Sequence, residues 1–152
     1  MKEVSMMPRM LATLFALLGL LDSLYLSVER LTGGALVCPI GGGCEVVQGS
    51  EYALFLGIPV AYMGVFAYAV LLAIGLLSLQ EDTLLGFPIE RCLLLVASCG
   101  VLFSAYLVYL QLFVIQAICF WCMVSATLEL GIFLAAAYDT WQRRDDSAEI
   151  AA

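Results

Sequence analysis

Four apolar stretches, at about 10–28, 59–79, 91–118 and 119–141, are each long enough to cross a bilayer. Crossing roughly 30 Å of hydrocarbon as a helix takes about 20 mostly apolar residues. The chain has 152 residues, 64% of them hydrophobic and only 12% charged. A soluble domain carries about a quarter charged residues. The pattern predicts an all-α membrane protein: one domain, a four-transmembrane-helix bundle. Its long outer loop, 29–58, carries a short interfacial helix, and its cytoplasmic tail is 142–152. The third and fourth stretches run nearly together, so the turn near Gln116–Cys119 must be tight. The first stretch is too long for a cleaved signal peptide, and no small-residue cleavage site precedes a soluble domain.

Basic residues orient the bundle. Lys2 and Arg9 precede the first span, Arg91 lies at the second connection, and Arg143 and Arg144 follow the fourth span; only Arg30 falls on the other side. Both termini are therefore expected in the cytoplasm, with the long loop and the tight turn outside. The net charge of −7 sits largely in "RRDDSAEI" and "LQEDTLLGFPIE", which read as solvated ends. There is no basic stripe for nucleic acid.

Hydropathy and charge bias together place four of the six cysteines, Cys38, Cys44, Cys119 and Cys122, on the outer side, where disulfides persist. Cys92 and Cys99, seven apart in the third span, read as small packing residues. In the loop, Gly41-Gly42-Gly43 directly precedes Cys44. Such a run is either a hinge that lets a thiol change partners or a turn around a fixed bridge. "CEVVQGSEYALFLG" reads as a short interfacial helix, and Pro59 suits the first turn of the next span. "CFWC", 119–122, opens the fourth helix. There the helix dipole favours a thiolate, and the spacing sets both sulfurs on one face. Cys119 faces the loop, and Cys122 lies about one turn deeper, within reach of a lipid-soluble carrier. Phe120, Trp121, Tyr106 and Tyr109 either line an apolar slot or pack as belt aromatics.

The run "C-x5-C-E-V-V-x-x-S-x-Y-A-x-F-L-G-I-P-V-A-x-x-G-V", followed by C-x-x-C at the start of the last helix, resembles the vitamin K epoxide reductase family, most closely its prokaryotic members. The resemblance implies a bundle around a quinone (ubiquinone, menaquinone or similar) in a prokaryotic plasma membrane. Cys38 and Cys44 match the loop pair that exchanges electrons with a thioredoxin-like partner, and Cys119 and Cys122 match the pair that serves the quinone. Quinone-side positions implied are Cys122, Ser50, Phe55, Val60, Tyr106 and Ala126. Val60 and Ala126 stand where animal enzymes carry an asparagine and a tyrosine that bond the vitamin's oxygens, which favours plain quinone chemistry over epoxide reduction. Many prokaryotic members carry a fused thioredoxin-like domain; with the chain ending at Ala152, a separate partner is expected.

The expected function is disulfide generation by electron flow from partner to loop pair, to C-x-x-C, to quinone. Three other readings stand beside it. One is a membrane protein with two structural disulfides, and another is an epoxide or quinone reductase working in the opposite direction. The third is the disulfide bond protein B type of oxidase, which places its cysteine pairs in the reverse order. A zinc site is disfavoured by the C-x5-C spacing and by a pair embedded in a helix, so no metal is expected. Two acids lie within spans, Asp22 and Glu129, and such groups are functional by default. Asp22, nearer the cysteines, is expected to support the reaction. Glu129, seven residues past Cys122, is expected to be a neutral carboxyl hydrogen-bonded to another helix.

Overall fold

The computed structural model describes residues 2–152; the side chains of residues 1–5, Lys2 among them, lie outside the description. The chain forms the four-helix bundle that its hydropathy predicts. The membrane-length helices are α1 (Lys2–Thr32), α3 (Val60–Ser78), α4 (Ile89–Tyr109) and α5 (Phe120–Ala151). Between α1 and α3 lies the cap helix α2 (Cys44–Gly49), then a 3₁₀ turn (Glu51–Ala53). A π-helical turn (Leu110–Ile115) extends α4, and the chain reverses through Gln116 in the left-handed conformation. Apolar segments of spanning length cover Met6–Thr32, Val60–Ser78, Ile89–Ile115 and Phe120–Ala151.

Three elements differ from the hydropathy reading. The helices outrun their apolar stretches: α1 includes Arg9, and α5 continues through 142–151 as a helix that is half-buried at Gln142 and Arg143 and exposed beyond them. "CEVVQGSEYALFLG" is not one helix. Its end pairs as a two-residue hairpin, β1 (Leu54–Phe55) with β2 (Ile58–Pro59). A second hairpin, β3 (Thr83–Leu84) with β4 (Phe87–Pro88), leads into α4. In both, a Leu-Gly pair takes positive φ, 53° and 82° at Leu56-Gly57 and 51° and 85° at Leu85-Gly86. That is the backbone twist of a tight hairpin turn.

Small residues set the helix spacing. On α3, Gly75 meets Thr13 and Gly64 meets Ser23, while Gly19 of α1 takes the ring of Tyr68. Gly131 of α5 takes the ring of Phe15. Without water between spans, association rests on such close backbone approach. The core runs through Ala12, Ala16, Leu71, Ile74, Ile89, Leu93, Ala97, Ile132 and Ala136.

At the end away from the four loop-side cysteines, Arg9 is only 4% exposed and ties the bundle together. It donates to Asp139 Oδ2 (3.0 Å), to Asp82 Oδ1 (3.2 Å) and to the Ser78 carbonyl, and it pairs with Glu90 at 3.8 Å. Arg143 reaches Asp82 (3.1 Å) and Asp139 (3.6 Å). One guanidinium thus holds α1, α3, α4 and α5 at a common point. Removing one member of a buried ion pair costs about 3–5 kcal/mol, because the survivors stay buried and unpaired. Arg9→Met is therefore expected to lower bundle stability by roughly that amount and Arg143→Met, half-buried, by much less; denaturation in detergent monitored by circular dichroism measures both. Equal effects from the two would contradict the central place given to Arg9.

Candidate active site

The sequence brings the cysteines together at one end of the bundle. Cys38 and Cys44 form a disulfide, with Cα atoms 5.9 Å apart, while Cys119 and Cys122 are free thiols. Cys44 and Cys119 are both fully buried, in one cluster with Val47 and flanked by Leu36, Ile115 and Trp121. The three glycines divide the work of bringing Cys44 there. Gly41 and Gly42 take positive φ, 86° and 62°. Gly43 does not, but any Cβ on it would collide with the Ile118 backbone. The loop is seated against the turn that precedes α5, and only glycine permits the contact.

Cys119 is the N-cap of α5. Its sulfur accepts from the Cys122 N–H at 3.3 Å, as a capping oxygen would. The Cys122 thiol as donor, followed by the backbone N–H groups of Cys122 and Trp121, holds Cys119 below the ordinary thiol range against the opposing effect of burial. Its own backbone N–H donates to Gln111 Oε1 at 2.9 Å. Gln111 is buried in the π-helical turn. Trp121 Nε1 donates to the Val37 carbonyl (2.9 Å) and its ring lies 5.2 Å from that of Tyr25. The loop is held from the other side by Arg30, which donates to the Gln48 carbonyl at 2.9 Å.

Beneath this cap lies a cavity of about 370 Å³, walled almost wholly by apolar side chains of α3, α4 and α5 and roofed by α2. α3 and α4 meet over a much shorter length than α1 meets α3 or α5, and the cavity occupies their gap. Phe66, 73% exposed, and the exposed Cys99 both stand in its wall. The cavity therefore opens sideways, towards the lipid that would surround the spans. Cys122 reaches its wall from the first turn of α5, and Gln48 Nε2 of α2 lies 3.8 Å from the Cys122 sulfur.

Of the quinone-side residues expected from the sequence, Cys122, Ser50, Val60 and Ala126 line this cavity. Phe55 and Tyr106 do not: both pack against Phe103, with ring centroids 5.4 and 6.3 Å away, and Phe103 lines the wall instead. Phe120, Trp121 and Tyr109 are also outside it; Trp121 clamps the loop and Tyr109 stacks on Phe113. Cys99 is a wall residue rather than packing, and Cys92 is half-buried outside the wall. Asp22 lies near the cysteine pair, as expected, and the hydrogen bond expected for Glu129 is not made. Asp22 is buried with both carboxyl oxygens unpartnered, but not in the wall. Glu129 is in the wall, and its Oε1 makes no hydrogen bond to another helix. Gln48, Gln111, Tyr68 and Ser125 were missed. A glutamine inside an apolar helix, as at Gln111, was the signal available in the sequence.

Residues 10–137 match the vitamin K epoxide reductase family. The chain is also 33% identical over 127 residues to the thiol-disulfide oxidoreductase LTO1 of Arabidopsis thaliana, a match that covers 79% of this chain and 33% of that relative. The chain thus spans about a third of the length of the curated relative it matches. In this chain a bridged cysteine pair is packed against a free C-x-x-C pair, in a bundle of four membrane-length helices. The chain belongs to the vitamin K epoxide reductase family.

Proposed function

We propose that the protein generates disulfides, taking electrons from a thioredoxin-like partner at Cys38/Cys44 and delivering them through Cys119/Cys122 to a membrane quinone. One observation carries the reading. Cys122 stands in the wall of an apolar cavity that opens towards lipid, while Cys119, three residues away, is packed with Cys44 of the loop. The dithiol thereby faces the loop cysteine pair on one hand and a site for a lipid-soluble acceptor on the other. The cavity's size falls in the range of small-molecule sites, about 300–1,000 Å³, and its apolar wall suits an isoprenoid quinone.

In the proposed cycle the partner's dithiol reduces the Cys38–Cys44 bridge by exchange and leaves oxidised. Cys44 attacks Cys119 of the Cys119–Cys122 disulfide, releasing Cys122 as thiolate. Cys38 then displaces Cys119 from Cys44, restoring the loop bridge and leaving a Cys119/Cys122 dithiol. That dithiol gives up two electrons and two protons, and the quinone that takes them becomes a quinol. A bridged loop pair beside two free thiols is the state just before this delivery. The apolar Val60 and Ala126 in the wall favour a quinone over an epoxide. The charge bias supports an outward-facing cysteine end with both termini cytoplasmic.

Two experiments test the reading. In lipid nanodiscs supplied with a reduced thioredoxin-like protein and a quinone, followed by quinone absorbance, the protein is expected to turn over. Cys122→Ser is expected to abolish turnover yet still trap the partner as a mixed disulfide, and Cys92→Ala and Cys99→Ala are expected to stay near normal. Undiminished turnover in Cys122→Ser would sink the proposal. The second concerns Cys119. Its depressed pKa keeps it a thiolate to lower pH than a free thiol of about 8.5. Its reactivity should therefore persist as pH falls, until the pH passes below that depressed value. The thiolate ultraviolet absorbance that Cys119→Ala removes should titrate below the free-thiol value. Cys122→Ala, which deletes the thiol donor, should move the midpoint up. A midpoint at or above the free-thiol value would contradict the capping geometry.

A further inference from the structure

The deep end of the cavity holds polar groups that the thiol chemistry does not use. Tyr68 Oη donates to the Ser125 carbonyl at 2.7 Å and lies 2.9 Å from Ser125 Oγ. A phenol has one hydrogen, so in the second contact the serine hydroxyl donates to Tyr68. Both hydroxyl hydrogens are then spent. Glu129, one turn further along α5, is 3% exposed and lines the cavity, and its Oε1 is buried with no hydrogen-bond partner. No ion pair reaches it among the described residues. A carboxyl enclosed by apolar surface without a counter-charge keeps its proton, and with it a donor. The fold makes room for the group: Gly100 of α4 faces it, and a Cβ there would collide with the carboxyl. Native bundles seldom leave a buried polar atom unmet.

We infer that Glu129 is the hydrogen-bond donor for the ring oxygen remote from Cys122, and thereby the residue that makes the cavity selective for para-quinones. The inference rests on the quinone reading above. Seven residues of α5 separate Cys122 from Glu129, about 10 Å along the helix and nearly two full turns, so both face the same space. A para-quinone carries its two oxygens ~5 Å apart on opposite sides of the ring. Add a hydrogen bond of about 2.8 Å at one end and a sulfur within about 3.5 Å at the other, and the ring spans that separation. At the Cys122 end, Gln48 Nε2 has a second hydrogen to offer the near oxygen. Ser104 is the competing donor. It lines the wall one turn from Gly100, towards the cysteine end, and makes no hydrogen bond among the described residues. It is too shallow for the far oxygen.

The test is direct binding to the full chain in nanodiscs with both cysteine pairs oxidised, so that no dithiol reduces the probe. It is read by quenching of tryptophan fluorescence, with 2,3-dimethyl-1,4-naphthoquinone, whose ring has no open position for thiol addition, and its one-oxygen analogue 2,3-dimethyl-1-tetralone. The wild type should prefer the quinone by about tenfold, the order expected of one added hydrogen bond. Glu129→Leu should bring that preference to within about twofold, and Glu129→Gln, which keeps a donor, should hold it within about threefold of wild type. Gly100→Ala, which displaces the carboxyl without removing it, should also narrow the preference and serves if Glu129→Leu does not fold. An unchanged preference in Glu129→Leu and Gly100→Ala, or its loss in Ser104→Ala instead, overturns the assignment. Turnover with an unchanged Glu129→Leu preference removes the Glu129 site and keeps the redox reading. The predicted preference without wild-type turnover keeps the site and removes that reading. A wild type that binds no naphthoquinone overturns both.

Discussion

Everything at the cysteine end depends on seating the loop against the turn before α5. Gly43 lies against the Ile118 backbone, where a side chain would not fit, and this contact carries Cys44 into the cluster with Cys119. Thiol exchange requires two sulfurs to approach within bonding distance, which fixes the Cα separation to a few ångströms. The surrounding bonds hold that seat in place. Gln111 fixes the backbone of Cys119, Trp121 hangs from the Val37 carbonyl, and Arg30 anchors the far end of α2. The same α2 roofs the cavity and brings Gln48 to the Cys122 sulfur. Loop position, thiol reactivity and access to the cavity are therefore one mechanical unit.

The opposite end of the bundle permits this opening. A cavity between α3 and α4 removes packing that would otherwise join them. The Arg9 cluster joins all four helices at a single point, and the glycine contacts of α1 with α3 and of α5 with α1 do the rest. The bundle is closed at one end and along three sides, α1 against α3, α1 against α5 and α4 against α5, and open along the fourth, between α3 and α4. A lipid-facing mouth beside Cys122 is the consequence.

The spans and the four loop-side cysteines were legible because hydropathy and spacing are local properties of the chain. The family could be read because its motif runs through loop, α3 and α5 together. What could not be read depended on which faces meet. Phe55 and Tyr106 are aromatic and near the site, yet Phe103 stands between them and the cavity. Asp22 and Glu129 are both acids in spans, and only helix rotation decides that Glu129 faces the cavity. Arg9 looks like a flanking charge for orientation, but the helix begins before it and buries it. The hairpins escaped notice because a leucine, not a glycine or asparagine, takes the first positive-φ position.

The central claim is that two dithiols in series drain through Cys122 alone. The most direct measurement is the amount of quinol formed when fully reduced protein, freed of reductant, meets excess quinone without oxygen. The account predicts two quinols per chain for the wild type, one for each cysteine pair. It predicts one for Cys38→Ala and none for Cys122→Ser. Quinol formation by Cys122→Ser at the wild-type yield would contradict it.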